Sequence, residues 1–504
     1  MRFIFLFIIM LILQNPSYSQ GGFYYQHIKP YSSNLFDIAE GKDGYLAVGR
    51  SSEEIYDKGF LLFLNKDGKL QWKKTVNLEA QGIDISEYRS VIYKSPYFYT
   101  IGKVYQDNEV KYLFSKINEE GEILFIKILD TPFELAMDNF PSKIILDNEF
   151  LLVAGSGATD TGTKGELLKL DLEGNIIWKQ KYSQYSNSVE YYEYIRDIKT
   201  SKDNHYLLEI YSAGFSNYDI STVIKIDSNG NEIWRKSYDT IIPSNITNDT
   251  LIFVSATPYK NSHVLALFNV ANKDQYSYLT YPRQDFALIE YDEFGEEINY
   301  KRFYNPTALA TADIQINEFD ELFIFASSEF GEIEGYHLGV MSLNFENEIM
   351  WRKFYKKENP LDTLVQAGPL FENGKLTSDN GFIMVAYDFY FEFGGAYRNP
   401  GILKLDCEGD TTWNYDRCIS PKFDDITIFP NPSSDNFIVQ IPTIPKHSEI
   451  RLEVYDLTGK LFTRNKYIDK QVFKINSSSW SAGVYHCVFY IDNEYFKSKK
   501  VVKN

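Results

Sequence analysis

One short phrase recurs along the chain and limits the folds that it can adopt. The phrase is an apolar run, an Asp or Asn, two further residues, a Gly, and an aromatic residue four positions after the Gly. Its seven copies occupy residues 65–72, 118–125, 171–178, 227–234, 292–300, 344–351 and 406–413. The turn positions lie 52 to 65 residues apart, a period that is typical of propeller blades when the strands are short.

A second phrase, a polar turn followed by an apolar strand, lies upstream of the first. Examples are residues 43–48, 203–208, 320–324 and 379–383. Each repeat therefore has four strands, A to D, with tight A–B and C–D turns. The apolar residues alternate over short runs, which disfavours a helical solenoid. The sequence thus predicts an all-β chain: a seven-bladed β-propeller over residues 20–420 and a small C-terminal β-sandwich over residues 426–504.

The phrase itself has a structural interpretation. The fifth copy carries its aromatic residue one position late, and the sixth has Asn347 in place of Gly, which preserves a left-handed turn. One large ring at a fixed place in strand D favours packing between neighbouring blades over a set of sugar-stacking platforms. The turns also resemble fragments of calcium loops, but the distal Glu is missing, so we interpret them as hairpin turns. The rings are Trp72, Phe125, Trp178, Trp234, Tyr300, Trp351 and Trp413.

The N-terminal residues have the pattern of a signal peptide. An apolar run over residues 3–13 follows Arg2 and is too short to span a bilayer. Small residues then predict cleavage between Ser19 and Gln20, so that residues 1–19 are removed; the alternative is an uncleaved anchor. No other apolar stretch approaches membrane length, so we expect an exported protein that is not an integral membrane protein. The net charge of −18 also argues against a nucleic-acid partner.

The C-terminal segment carries a specific set of motifs. It begins at Phe429 with Pro430, Asn431 and Pro432, and ends in a basic stretch. Between these come residues 452–460 and 482–485, which contain the remaining motif residues Asp456, Gly459, Gly483 and Tyr485. The segment resembles the type A C-terminal sorting domain of the type IX secretion system of Bacteroidetes. That resemblance implies a small β-sandwich, the type IX secretion machinery as a partner, export through the periplasm to the cell surface or medium, and frequent cleavage of the tail. The alternative is an ordinary appended β-domain.

The blade phrase over residues 24–416 is similar to that of quinoprotein-like propellers. The similarity implies the fold and not the redox chemistry, because none of the cofactor-binding channel residues of those enzymes can be matched. We therefore expect no cofactor. The six histidines show no ligand spacing, and we expect no metal. Cys407 and Cys418 are close in sequence, so a disulfide bond between them stays an open alternative. Cys487 is expected to be buried in the tail.

The face that carries the B–C and D–A connections is the expected binding face. The A–B and C–D turns are uniformly tight, whereas the other connections are predicted to be long and varied, and such loops commonly bind ligands. The fifth B–C insertion is assigned to residues 256–285, which include Tyr259 and His263. The alternative is that these aromatic residues pack the loops themselves. The candidates are Tyr191, Tyr192, Tyr276, Tyr278, Tyr281, Arg283, Tyr390 and Tyr397.

Three aspartates in predicted A strands form a weaker candidate site. Asp37, Asp197 and Asp313 stand at equivalent distances before their A–B turns, so their side chains are expected to converge in the channel. Converging carboxylates hold cations or act as acid and base, but the structural role of capping turns is favoured here. No nucleophile signature accompanies them. The sequence therefore favours an exported binding module for a glycan or protein, with a channel hydrolase or lyase and a structural surface-layer protein as alternatives.

The residues before the first repeat predict how the ring closes. Tyr24 precedes Asp37 by 13 residues, and Tyr300 precedes Asp313 by the same 13. Residues 23–28 therefore have the spacing of a strand D and are expected to join blade seven, which removes an open sheet edge. Residues 411–415 are a second candidate for that outer strand.

Overall fold

The computed structural model describes 26 segments of the chain, most of them strands with their adjoining turns. They are residues 23–26, 33–52, 57–83, 85–106, 109–133, 142–159, 162–183, 191–201, 203–214, 220–239, 242–243, 250–271, 285–303, 307–317, 321–330, 333–343, 347, 349–355, 367–392, 395–410, 426–441, 449–456, 460–468, 470, 472–491 and 494–504. Within these segments the helical residues are two single 3₁₀ turns, Glu79–Gln81 and Lys260–Ser262. The all-β prediction is confirmed.

Strand β1 (Phe23–Gln26) precedes the first repeat. Repeats 1 and 2 contain β2 (Ser33–Glu40), β3 (Gly44–Ser51), β4 (Lys58–Asn65), β5 (Leu70–Val76), β6 (Ile85–Lys94), β7 (Tyr97–Gln106), β8 (Glu109–Asn118) and β9 (Ile123–Phe133). Repeats 3 and 4 contain β10 (Lys143–Asp147), β11 (Phe150–Thr159), β12 (Gly162–Leu170), β13 (Ile176–Tyr182), β14 (Tyr191–Thr200), β15 (Tyr206–Gly214), β16 (Ile220–Ile226) and β17 (Glu232–Asp239).

Repeat 5 begins with the two-residue strand β18 (Ile242–Pro243) and continues with β19 (Thr250–Pro258), β20 (Val264–Ala271), β21 (Asp285–Tyr291) and β22 (Glu297–Phe303). Repeat 6 contains β23 (Thr307–Ile316), β24 (Leu322–Phe330), β25 (Ile333–Leu343) and β26 (Ile349–Tyr355). Repeat 7 contains β27 (Ala367–Leu376), β28 (Phe382–Glu392) and β29 (Gly395–Leu405).

The strands of each repeat form a sheet in sequence order. Repeats 3 and 4 are an exception, because their strands belong to one eight-stranded sheet. The link between them is a single parallel pair, Thr163 with Tyr192. The repeated four-stranded sheets confirm the propeller prediction. The count of seven blades stays a prediction, since it requires dividing that larger sheet in two.

Strand β1 completes the sheet of repeat 7, as the 13-residue spacing predicted. It pairs antiparallel with β29, and Tyr24 lies opposite Leu403. In repeat 5, Tyr300 lies opposite Ile289. Leu403 and Ile289 each stand three residues before the Asp of their C–D turn, so β1 takes the register of a strand D. The competing candidate at residues 411–415 lies outside the described residues.

Apolar cores lie between consecutive repeats, as face-to-face packing of blades requires. One core joins Leu35 and Tyr45 of repeat 1 to Ile383 of repeat 7. Another joins Leu46 of repeat 1 to Tyr88 of repeat 2. Repeat 1 is therefore flanked by repeat 2 on one side and by the last repeat on the other, so that the first and last repeats are neighbours.

The strand D rings pack onto the next repeat, as predicted. The Trp72 indole nitrogen donates a hydrogen bond to the Glu119 carbonyl at 2.8 Å. Gly121 of the same turn has φ +79°, and a Cβ there would lie 2.8 Å from the Trp72 ring. Trp234 repeats this arrangement against Gly295. In these two turns the Gly thus serves both the left-handed conformation and the ring of the preceding repeat, whereas a Cβ at Gly174 would meet Phe114 and one at Gly230 would meet Gln180. Asn347, in place of Gly, has φ +58° as expected.

The C-terminal segment folds as a two-sheet sandwich. One sheet has the order β30 (Thr427–Phe429), β31 (Asn436–Gln440), β34 (Val472–Asn476). The other has the order β33 (Leu461–Ile468), β32 (Glu449–Asp456), β35 (Gly483–Ile491), β36 (Glu494–Lys503). Residues of both sheets share one apolar core, among them Phe437, Leu452 and Phe489. The sandwich prediction is confirmed, whereas the boundaries 20–420 and 426–504 stay predictions.

Candidate functional site

The first strands of several repeats bulge at the same place, and this bulge positions the candidate site. In β2 the register skips Phe36, so that Asp37 follows the bulge. In β14 it skips Arg196, so that Asp197 follows the bulge. The same irregularity precedes Ser90, Ser255 and Asn373 in other repeats. Because strand A is the innermost strand of a blade, the residues after the bulge face one another around the axis of the propeller.

The three predicted aspartates do converge, and three lysines accompany them. We call Asp37, Asp197, Asp313, Lys143, Lys199 and Lys375 the axial cluster. In each aspartate Oδ1 accepts a hydrogen bond from the next backbone N–H, at 2.9 Å for Asp37 and Asp197 and 2.8 Å for Asp313. This shared contact fixes the orientation of all three carboxylates.

Asp37 is fully buried and accepts hydrogen bonds from three repeats. Lys375 and Asn373 of repeat 7 approach its Oδ1 at 2.9 and 3.1 Å. Ser90 and the Val91 amide of repeat 2 donate to its Oδ2 at 2.6 and 3.0 Å. Burial raises the pKa of this carboxyl, but the charges of Lys375 and Lys143 outweigh burial, and the pKa lies below its usual range. Asp37 is therefore a carboxylate whose two oxygens are already occupied.

Asp313 is held in a similar way from repeats 4 and 5. Its Oδ1 lies 2.6 Å from the ammonium of Lys199 and 3.1 Å from the Ser255 hydroxyl. The Gln315 amide donates to its Oδ2 at 2.8 Å. Burial raises the pKa of Asp313, and the charge and hydrogen bond of Lys199 lower it by more, so the net shift is downward.

Asp197 differs from the other two aspartates. Lys199 lies 3.4 Å from its carboxylate and Lys143 lies 4.0 Å away, so neither forms a short ion pair with it. Burial raises the pKa of Asp197, and the like charges of Glu209 and Asp313 add to burial against the two lysines. The net shift of the pKa is upward, so Asp197 takes up a proton more readily than the other two aspartates of the cluster.

Lys143 lies among all three carboxylates. Burial lowers the pKa of its ammonium, but the charges of Asp37, Asp197 and Asp313 raise it by more. The pKa of Lys199 is also raised, because Asp313, Asp197 and Glu209 outweigh its burial. The axial cluster thus balances three cations against three anions, and the role of a bound cation is already filled by lysine ammonium groups. In the described segments, no three His, Cys, Asp or Glu side chains are placed to hold a metal ion.

The sequence prediction missed the lysines. Lys199 and Lys375 stand two positions after the axial residues Asp197 and Asn373, on the same face of strand A. That two-residue spacing was the available signal. Lys143 occupies the axial position itself, where no Asp marks that position in the sequence.

Two of the predicted binding loops are strands. Tyr390 and Tyr397 lie opposite each other in the β28–β29 hairpin, and two residues separate these strands. The aromatic run was assigned to a long B–C loop, but its aromatic residues extend the strands instead. Tyr191 and Tyr192 are likewise the first residues of β14, opposite Gly214 and Ala213.

The fifth B–C insertion is shorter than predicted. Ala256 belongs to β19, and Tyr259 and His263 lie in the A–B turn that follows, on the opposite face of the propeller. Tyr259 is buried, and His263 lies 2.8 Å from Glu290. The error arose because this turn lacks the Asp-Gly signal of the other repeats. Tyr276, Tyr278, Tyr281 and Arg283 lie outside the described residues, as do Ser19, Gln20, Cys418, Trp413 and Gly459.

The turn aspartates use their carboxylates within their own turns. Oδ1 of Asp171 accepts hydrogen bonds from the amides of Glu173 and Asn175 at 3.0 and 2.7 Å. Asp227 makes the same two contacts in its repeat. These hydrogen bonds support the interpretation of the repeated Asp-x-x-Gly phrases as hairpin turns. Cys407, in the last of these turns, is disulfide-bonded.

The sorting motif residues anchor the last strand of the sandwich. The Asn431 side chain donates to the Lys500 carbonyl at 3.0 Å and accepts from the Val502 amide at 2.8 Å. It therefore replaces a strand partner along the outer edge of β36. The Tyr485 hydroxyl donates to the Ser481 carbonyl at 3.0 Å, and its ring packs against Trp480. Asp456 accepts the Lys460 amide at 3.1 Å, which closes the β32–β33 turn. Cys487 is a free, buried thiol.

Solved structures with similar folds are distant in sequence. Sqt1 from Chaetomium thermophilum has 8% identity and a TM-score of 0.38, over 73% of this chain and 97% of that one. The WD40 domain of SCAP from fission yeast has 9% identity and a TM-score of 0.34, over 76% and 87%. The α-L-arabinofuranosidase ARB93A from Fusarium graminearum has 13% identity and a TM-score of 0.41, over 66% and 99%. TM-scores at this level carry no argument about function.

Sequence comparison is informative at the C-terminus. No curated protein matches the chain. Residues 427–504 match the family model described as "Secretion system C-terminal sorting domain". Among the described residues there is no helix of sufficient length and apolar character to cross a bilayer. The family match, the ordered motifs and the two-sheet sandwich together identify the C-terminal segment as a type IX secretion sorting domain, which directs this β-propeller to the cell surface or the extracellular space.

Proposed function

We propose that the chain is an exported binding module that recognises an extracellular glycan or protein through its propeller. The observation that carries this proposal is the saturation of the axial cluster. Asp37 accepts five hydrogen bonds or ion pairs, and Asp313 is held by Lys199, Ser255 and Gln315. A catalytic carboxylate needs an oxygen that reaches substrate and a pKa suited to proton transfer. Neither Asp37 nor Asp313 meets these requirements.

The connections between repeats support a binding role for one face of the propeller. Three residues separate β22 from β23, whereas eleven separate β26 from β27. The B–C connections range from two residues, between β28 and β29, to thirteen, between β20 and β21. A rigid scaffold with connections of unequal length on one face is the usual setting for recognition. Signal-peptide cleavage after Ser19 is part of this proposal, because the leader directs the chain across the inner membrane and is removed from the mature protein.

One observation favours the hydrolase alternative. Asp197 lacks a short ion pair, and its pKa is raised, which are properties of a general acid. This alternative places the reaction at the propeller axis, with Asp197 as the proton donor.

A glycan array probed with the full chain, followed by product analysis on each hit, distinguishes the proposals. Binding without turnover supports the binding module. Turnover that is lost in Asp197→Asn, with binding retained, overturns it in favour of the hydrolase. Absence of binding to glycans and to extracellular proteins also overturns it and leaves the structural role.

A further inference from the structure

The axial position of strand A is polar in all seven repeats, and we call these seven residues the axial ring. In chain order they are Asp37, Ser90, Lys143, Asp197, Ser255, Asp313 and Asn373. Ser90 donates a hydrogen bond to Asp37 at 2.6 Å, and Asn373 donates to the same carboxylate at 3.1 Å. Ser255 donates to Asp313 at 3.1 Å. Side chains of the axial ring therefore bond to one another across the boundaries between repeats.

The boundary between repeats 3 and 4 differs from these. Its axial residues are Lys143 and Asp197, and the ammonium lies 4.0 Å from the carboxylate, too far for a hydrogen bond. Lys143 forms no hydrogen bond with any residue that the structure describes, and Asp197 accepts one, from the Ile198 amide at 2.9 Å. Both side chains retain 16% exposure. Solvent therefore reaches an ammonium and a carboxylate that still have hydrogen-bonding capacity.

The other two lysines of the axial cluster have their partners within the protein. The Lys199 ammonium carries three donors and lies within hydrogen-bond distance of four oxygen atoms. These belong to Ser255, Ala256, Asp313 and Ile314, at 3.1, 2.8, 2.6 and 3.2 Å. Lys375 reaches Asp37 at 2.9 Å and the Val91 carbonyl at 3.0 Å. Within the described segments, Lys143 is thus the lysine of the cluster whose donors remain available.

Arg196, the bulged residue before Asp197, adds a guanidinium beside the same boundary. Its Nη2 donates to the Glu209 carboxylate at 2.7 Å and to the Val254 carbonyl. Its Nε and Nη1 form no hydrogen bond with the described part of the chain, and the side chain is 37% exposed. Lys199 lies 3.4 Å from Asp197 and 3.8 Å from Glu209. The guanidinium and the Asp197 carboxylate therefore lie on either side of one ammonium.

These groups suit the hydroxyls of an uncharged sugar. A hydroxyl accepts a hydrogen bond from an ammonium or guanidinium and donates one to a carboxylate, so neighbouring hydroxyls can use Lys143 and Asp197 together. A charged ligand is less suited, because the axial cluster balances its own charges and Arg196 is matched by Glu209. The A strands surround the axis, so a ligand enters along it. A chain end fits this approach better than the middle of a polymer.

We propose that Lys143, Asp197 and Arg196 form a subsite at the propeller axis that binds the end sugar of a neutral glycan. The inference rests on the proposed binding function and specifies its ligand class. It differs from the hydrolase alternative, because Asp197 here accepts a hydrogen bond from the ligand and transfers no proton to it.

Calorimetric titration of the full chain with D-glucose, D-galactose, D-mannose, D-xylose and L-arabinose tests the subsite. We expect at least one of these sugars to bind, because a single ring carries the neighbouring hydroxyls that the subsite needs. The affinity should be the same at low and high salt, since the ligand is uncharged. Lys143→Met should weaken binding by about tenfold, because a charge-assisted hydrogen bond is lost.

Two variants of Asp197 test the acceptor and separate it from proton transfer. Asp197→Ala removes the acceptor and should weaken binding by about tenfold. Asp197→Asn keeps an oxygen that accepts from a hydroxyl, so its affinity should stay within about threefold of the parent chain. This pair decides the question by itself if Lys143→Met fails to fold.

Lys169→Met is the matched control for Lys143→Met. The Lys169 side chain is 15% exposed and pairs with one carboxylate, that of Asp147, at 2.7 Å. It lies beside the C–D turn of repeat 3 and outside the axial ring, so the affinity of this variant should equal that of the parent chain. Thermal melting of each variant checks that it is folded.

Three results overturn the inference. They are absence of binding by all five sugars, equal losses in Lys143→Met and Lys169→Met, and unchanged affinity in Asp197→Ala. Binding of a glycan or protein elsewhere on the propeller, together with any of these results, leaves the proposed function intact. Asp197-dependent turnover defeats the proposed function instead.

Discussion

The carboxylate of Asp37 lies 2.9 Å from the ammonium of Lys375, which joins the first repeat to the last. Asp37 is fully buried, whereas the Lys375 side chain is 26% exposed. The same carboxylate also holds Ser90 and Val91 of repeat 2. One side chain therefore connects three repeats at the place where the ring closes.

Asp37→Asn should destabilise the propeller by about 2 kcal/mol, because the partly exposed Lys375 loses its counter-charge and the Ser90 and Val91 donors lose a charged acceptor. Asp197→Asn is the comparison variant. The raised pKa of Asp197 shows that its ionised form is disfavoured, so its neutral replacement should change stability by less than about 1 kcal/mol. Urea unfolding followed by tryptophan fluorescence measures both. Equal losses in the two variants would contradict this account of the axial cluster.

The pH dependence of stability should reflect the same cluster. The pKa values of Asp37 and Asp313 are lowered on folding, so their contribution is present above about pH 4, the range of a free carboxyl, and is lost as pH falls through the lowered values. The raised pKa of Lys143 adds stability that is present below about pH 10 and is lost at higher pH.

Melting temperatures measured from pH 7 to pH 3 check the acid side of this profile. Asp37→Asn should lose less stability over that range than the parent chain, because it lacks one of the carboxyls whose pKa is lowered on folding. A parallel decline in the two proteins would show that other groups control acid unfolding.

Gly121→Ala and Gly82→Ala separate turn strain from packing. Both glycines have a left-handed backbone, with φ of +79° and +74°. A Cβ at Gly121 meets the Trp72 ring at 2.8 Å, whereas a Cβ at Gly82 meets nothing within 4 Å. Gly82→Ala should cost about 1 to 2 kcal/mol through backbone strain alone. Gly121→Ala should cost about 1 to 3 kcal/mol more through overpacking. Denaturant midpoints measure the difference, and equal costs would contradict the assigned role of the ring.

Deletion of residues 20–29 removes β1 and should lower the melting temperature of the whole propeller. The loss exposes the edge of β29 and separates the two ends of the ring. Differential scanning calorimetry of the full and shortened chains provides the measurement. An unchanged melting temperature would show that the β1–β29 pairing contributes nothing to closure.

Deletion of residues 426–504 should leave the propeller folded but retained in the periplasm. The sorting tail has its own apolar core, which is built from tail residues alone. Cell fractionation locates the truncated chain, and its melting temperature checks the fold. Normal appearance of the truncated chain in the medium or on the cell surface would contradict the assigned function of the tail.

The turn phrase made most of the fold predictable. In the turns of Gly121 and Gly295 the Gly packs against the strand D ring of the preceding repeat, so the phrase there encodes both a hairpin and a contact between blades. The 13-residue spacing of Tyr24 from Asp37 likewise predicted the register of β1. These features are local in sequence, or recur at a fixed period, and are therefore visible without coordinates.

The chemistry of the axis was predictable only in part. Convergence of Asp37, Asp197 and Asp313 follows from their equivalent positions in strand A. Their pairing with Lys143, Lys199 and Lys375 does not, because it depends on which side chains meet across the axis from repeats far apart in sequence. The prediction of a long B–C loop in repeat 7 was wrong for a related reason. Tyr390 pairs with Tyr397 and extends a hairpin, which composition alone does not distinguish from a loop.

The placement of β1 has a consequence for the order of events during biogenesis. Its partner β29 ends at Leu405, so more than three quarters of the chain must be synthesised before the last sheet can form. Until then the N-terminal strand has no edge to join, and repeat 1 lacks one of its two neighbours. The propeller is consequently incomplete throughout its synthesis. A nascent chain of this kind acquires the cooperative stability of the closed ring only once β29 is available to pair with β1.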